Sequence, residues 1–408
     1  MSRPDVNNPT TASLVSPAVL AVYAAGLVQG LTLVSFPALS SVLTQELGFT
    51  DAQYGAIFLP QVALAVVGAI GGAALARHVG LKLLLVAALL ANAASQLLLA
   101  AGAWADGSDA FLTIMAGTAT LGFGFGFLGA PINSYPPMFF PRQPHASVVA
   151  VHSLLGLGLS AGPLIASVFV AAGAWSGFPF FLAALCATLA LATLSIALPK
   201  EHDLSATEGT PATGRPLVEI QFWFFVCITV LYAFAEGTFA NWAVIYLSQS
   251  KGLPEMTAGM ALSVFWGALV GGRLLVTALV TWFPPAAIWA SLPVLMIAAF
   301  LSLPYATGAT VGIGLFGLAG LACSAFFPLT ITLVSHRYPG HVAWVSSMMI
   351  AALMVGVGVG SFAIGTLREF LSLENLYRLS AIYPAAVLVL VILVIRSAPT
   401  RALAPQPR

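Results

Sequence analysis

Long, uninterrupted apolar runs constrain this chain more than any other feature. Twelve of them, at about 18–43, 52–76, 82–103, 110–138, 147–171, 178–198, 218–250, 257–280, 285–305, 308–335, 342–367 and 376–395, can each cross a hydrocarbon core, which takes roughly 20 apolar residues in a helix. Backbone groups in lipid must be satisfied within their own segment, so runs of this length read as helices. A membrane β-barrel would instead show alternating strands of ~10 residues. Of the 408 residues, 60% are hydrophobic and 7% charged, against roughly a quarter charged in a soluble domain. The expected fold is an all-α membrane protein. A net charge of +1 offers no attraction to nucleic acid. Residues 1–16 lack the basic region, short apolar core and cleavage site of a signal peptide, so the first run is expected to remain as a helix.

Lysine and arginine set the expected orientation. With the N-terminus inside, the inner segments hold Arg3, Arg77, Lys82, Arg142, Lys200, Arg215, Arg337, Arg396, Arg401 and Arg408, and the outer loops hold Lys251, Arg368 and Arg378. Both termini are then cytoplasmic, and the expected location is a bacterial inner (plasma) membrane. The polar stretch 200–216 reads as a linker between a six-helix half at 17–199 and a second at 217–396, flanked by tails at 1–16 and 397–408. Landmarks recur across it. Gly71-Gly72 answers Gly271-Gly272, Pro131 and His145 answer Pro328 and His341, and Gly156-Leu-Gly158 answers Gly356-Val-Gly358. Such offsets describe two pseudo-symmetric halves with a site between them near the bilayer midplane.

Two formal charges lie deep in the apolar runs, Glu236 and Arg273. A carboxylate in hydrocarbon costs several kcal/mol, so it faces a cavity, carries a proton or finds a partner. Glu236 is therefore the candidate proton-coupling residue; a fixed, hydrogen-bonded carboxyl holding two helices together is the structural alternative. The repeat sets Gln29 opposite Glu236, which makes Gln29 a candidate for binding solute. Helical rise puts Glu236 roughly 20 Å from the inner end of its segment and Arg273 roughly 10 Å from the inner end of its own. That offset favours a gating or structural Arg273, bound to carbonyls at a helix end or to an anionic group, over a direct pair. Tyr23, Asn133, Tyr232, Asn241, Trp242 and Trp266 complete the candidate solute-binding set, because bundle sites combine a few hydrogen-bonding groups with an aromatic wall.

Enzyme signatures are missing. The six histidines and three cysteines have no metal-ligand or redox spacing, so no metal and no cofactor are expected. The run Gly122-Phe-Gly124-Phe-Gly126-Phe-Leu-Gly129 matches a dinucleotide fingerprint formally. It lies inside a membrane span rather than after a strand, and close helix packing explains it better.

The loop after the second run, Ala73-Ala-Leu-Ala-Arg77-His-Val-Gly80-Leu-Lys82, resembles the inner-loop signature of the major facilitator superfamily. Ala73 replaces its first glycine, and Arg77 stands where its gate-latching acid belongs. Gly158-Leu-Ser-Ala-Gly162-Pro163 is similar to the core of the motif common in drug and proton antiporters, which implies a gating role for Gly158, Gly162 and Pro163; Ala166 and Ser167 replace the trailing glycines. Tyr232, Glu236, Trp242 and Tyr246-Leu247 resemble the seventh helix of fucose-permease-like members.

The resemblance implies a monomeric secondary transporter, not an enzyme, whose partners are a small-molecule solute, protons and the lipid bilayer. The expected activity is proton-coupled symport of a sugar-like or other polar solute. The alternatives are a proton-antiport exporter of drugs or metabolites and, in another class, a non-transporting receptor or assembly factor.

Overall fold

The computed structural model describes residues 16–199 and 216–397, apart from the side chains at positions 73, 77, 145, 216 and 343. The expected linker, 200–216, and both tails therefore lie almost wholly outside the described residues. Every regular element described is helical. Among the described residues, eleven helices are long and apolar enough to cross a membrane: α2 (Asp51–Ala76), α3 (Leu81–Trp104), α4 (Gly107–Phe139), α5 (Ala146–Ala171), α6 (Gly177–Ser195), α7 (Ile220–Ser250), α8 (Glu255–Leu279), α9 (Pro285–Tyr305), α10 (Gly308–Arg337), α11 (Trp344–Leu367) and α12 (Leu373–Ser397).

The first expected span is divided. Helix α1 (Pro17–Leu33) starts on a Ser16 cap, whose hydroxyl accepts from the Val19 amide at 3.3 Å, with proline at the first position. It breaks at Val34 and again at Leu39, and short helices at Ser35–Ala38 and Ser40–Gln45 carry the chain on. Pro37 removes one ladder donor at the bend. Thr50 and Gln53 form a capping box that starts α2. Gly80, at φ +80°, makes the turn between α2 and α3 that an L side chain would strain. Helix α10 breaks at Ser324–Ala325, and the carbonyls freed there take part in the site below.

Pairing shows the internal repeat. In the first half α1 packs on α5, α2 on α4, and α3 on α6; in the second α7 packs on α11, α8 on α10, and α9 on α12. The halves meet through α2 against α11 and α5 against α8, which are equivalent pairs under the repeat. This is the expected fold of twelve helices in two six-helix halves. Small residues set the closest crossings. A Cβ on Gly30 would collide with the Leu155 carbonyl oxygen, and one on Gly158 with that of Leu27, so α1 and α5 meet backbone to backbone. Gly122 and Gly126 of α4 approach Gln61 and Ala65 of α2 in the same way.

Candidate functional site: a cavity between the halves

A central cavity lies between the halves. Leu33, Phe58, Gln61, Phe125 and Leu159 line it from the first half. Glu236, Asn241, Trp266, Met354 and Val357 line it from the second. Among the described residues Glu236 is the one charged side chain on this wall. It sits on α7 one turn beyond Tyr232, in hydrogen-bonding range of that phenol and within electrostatic reach of Arg273. Tyr232 donates its own proton to the Cys323 carbonyl oxygen at 2.9 Å and stacks on Phe326. Asn241 is held by Ser361, donating to its Oγ at 2.7 Å, and the Asn241 carbonyl accepts from the Tyr54 hydroxyl at 2.5 Å. The Trp266 indole nitrogen has no described acceptor.

Of the residues expected to bind solute, Asn241 and Trp266 reach this cavity and five do not. Gln29 is fully buried against α3, its Oε1 accepting from Asn92 at 2.7 Å, so it serves packing within the first half. Tyr23 donates to the Ser147 carbonyl at 3.0 Å near the start of α5. Asn133 donates to its own helix at Gly129 and accepts from His152 Nε2 at 3.0 Å. Tyr232 is buried, with its hydroxyl committed to Cys323. Trp242 is fully buried edge-on against Tyr54, with ring centroids 5.0 Å apart. Gln61 was absent from that set, although it is as polar as Gln96 and sits at similar depth. Hydrogen bonding divides the two: Gln96 donates to Ser35 inside the first half, whereas Gln61 lines the cavity.

Arg273 forms no ion pair with Glu236; its Nε donates to the Ser324 carbonyl oxygen at 3.1 Å, at the break in α10. Gly158 and Gly162 face α1 at residues 27–34, and Pro163 presents its carbonyl oxygen to Gly259 of α8. The Arg77 side chain lies outside the described residues. A second cavity, the vestibule, has about 1290 Å³ of atom-free space and lies between α5, α8 and α10, toward the end where α1 begins and α12 ends.

The opposite end is tied across the halves. Asp51 and Arg368 are 3.1 Å apart, Ser41 donates to Glu255 at 2.7 Å, and Gln249 donates to Thr44 at 2.9 Å. Nearer the middle, Ser160 of α5 donates to the Ser263 carbonyl of α8 at 3.0 Å.

A bundle of two repeated six-helix halves with a cavity between them is the architecture of a membrane carrier, and comparison gives the family. The Major Facilitator Superfamily profile matches residues 19–317, and the chain belongs to that superfamily. It is 26% identical over 234 residues to the fosmidomycin resistance protein of Escherichia coli K12, covering 56% of this chain and 57% of that protein. It is 25% identical over 264 residues to the glucose/mannose transporter GlcP of Bacillus subtilis 168, covering 60% of this chain and 63% of that one. The matches thus span about three fifths of each relative. Among solved structures, a variant of the nucleoside transporter NupG superposes with a TM-score of 0.75 at 16% identity, covering 92% of this chain and 98% of that one. A bacterial homologue of the human lysosomal transporter Spinster superposes at 0.72 and 14%, covering 95% and 98%. These likenesses concern the fold.

Proposed function

We propose that the protein is a secondary transporter that carries a small organic solute by alternating access and couples it to protons through Glu236. The halves, 17–199 and 217–396, rock against each other, with 200–216 as the linker between them. The observation that carries this reading is the place of Glu236, among the described residues the single charged side chain on the wall of the central cavity. A carboxyl at membrane depth that meets a cavity rather than an ion-pair partner is suited to gain and lose a proton in each cycle. Gln61, Asn241 and Trp266 are the solute-holding groups. The lysine and arginine asymmetry supports a cytoplasmic end at the termini and an outer end at the Asp51–Arg368 bridge, in a bacterial inner membrane, with the chain working as a monomer.

A second reading, proton-antiport export of an amphipathic solute, is favoured by the lining. Leu33, Phe58, Phe125, Met354 and Val357 outnumber the polar groups, and a sugar would leave many hydroxyls unpaired there. Proton flux in proteoliposomes tests both. A stabilisation screen over sugars, carboxylates, amino acids and cationic drugs supplies the solute. Adding it outside should alkalinise the medium for symport and acidify it for antiport. No solute-linked proton movement of either sign would contradict the coupling.

A further inference from the structure

The vestibule does not share the charge balance of the central cavity. Among the described residues its wall carries Arg273 and His152 and no aspartate or glutamate. Arg273 is exposed there. A guanidinium has five donors in a planar fork. One, Nε, is used on Ser324, which pins the side chain, and the two terminal nitrogens have no described acceptor. His152 is also fixed. Asn133 spends its amide nitrogen on the Gly129 carbonyl, so its oxygen must be the atom that faces His152, and His152 Nε2 is the donor between them. The ring is therefore oriented by its neighbour, with Nδ1 left as its remaining polar atom. Val270, Leu274 and Leu329 provide apolar wall beside these groups.

We propose that the vestibule binds an organic oxyanion with an apolar tail, a carboxylate, phosphate or phosphonate, through Arg273, with His152 as the second polar contact. A pinned guanidinium with a free fork matches two oxygens of one planar or tetrahedral anion. The absence of a wall carboxylate leaves that charge for the ligand to neutralise. A lipid headgroup and a soluble solute share this chemistry. Identification of the ligand with the transported solute rests on the transport reading; binding at the vestibule does not.

Equilibrium binding to the full chain in phosphatidylcholine nanodiscs tests the site without any need for flux, so its failure and a failure of transport are separate results. The probes are benzoate and phenylphosphonate, with benzyl alcohol and benzylammonium as neutral and cationic controls. The anions should bind and stabilise the protein against heat, and the controls should not. Arg273→Gln should weaken anion binding roughly tenfold or more, and Arg273→Lys less, because it keeps the charge and loses the fork. Thr332, exposed on the same wall, gives a pair that leaves Arg273 in place: Thr332→Glu should weaken binding and Thr332→Lys tighten it. If phosphatidylglycerol in the disc displaces benzoate, the natural anion is a headgroup; if it does not, the anion is a soluble solute. Equal binding of benzoate and benzyl alcohol, or affinities unmoved by both the Arg273 and the Thr332 substitutions, would overturn the assignment.

Discussion

The two ends of the bundle are built differently. At the end away from the termini, Asp51 meets Arg368, Ser41 meets Glu255 and Thr44 meets Gln249, each contact joining one half to the other. At the end where α1 begins and α12 ends, two contacts each stay within a half: Lys82 donates to the Leu194 and Ile196 carbonyls at 2.8 Å, and Tyr338 donates to Glu219 at 3.2 Å. Glu236 sits between, on the cavity. One end is thus tied and the other carries a vestibule, the asymmetry expected if the proposed alternating access is right. Contacts that cross the halves set which state is populated; contacts within a half set only how stable that half is. A bond present in both states cannot shift their balance.

This contrast can be broken outright. Thr44→Cys with Gln249→Cys, bridged by a short bifunctional maleimide, should abolish transport, whereas either cysteine alone should leave it working. Full transport by the bridged protein would show that the tied end need not open. Next in size is Tyr54→Phe, which removes the buried hydroxyl that bonds the Asn241 carbonyl across the halves. A bond of this kind contributes about 1 kcal/mol, so the shift should be roughly fivefold. An impermeant maleimide added at the tied end should label Ala240→Cys on the cavity wall correspondingly faster. Asp51→Asn should act in the same direction but more weakly, by less than about 1 kcal/mol, since its pair with Arg368 is partly exposed. Exchanging the two charges, Asp51→Arg with Arg368→Asp, should restore the slow labelling. Tyr338→Phe should leave the labelling rate unchanged, because both partners of its bond belong to the second half.

Much of the fold was legible because membrane helices announce themselves by length and apolarity, and because Gly71-Gly72 and Gly271-Gly272, or Gly158 and Gly358, repeat at a near-constant offset. The first span was legible only as an apolar run. Apolarity does not register the bends at Val34 and Leu39, which divide it into one helix and two short pieces. The cavity was harder to read. Glu236 stood out because a charge at depth has few tolerable environments. Neutral polar residues have many, so Gln29, Asn92 and Gln61 looked alike until their partners separated a buried pair from a cavity wall. Neighbours along one helix misled as well. Asn241 and Trp242 are adjacent in sequence, yet a 100° step sends one to the cavity and the other into packing with Tyr54. Trp266, at mid-span on α8, lines the cavity.

The central claim is that Glu236 links solute movement to protons, and one measurement reaches it directly. Glu236→Gln in proteoliposomes should lose solute accumulation driven by a proton gradient while retaining solute exchange down its own gradient, since the neutral amide keeps the cavity's shape and removes only the titrating group. Undiminished gradient-driven accumulation in Glu236→Gln, beside normal exchange, would contradict the account.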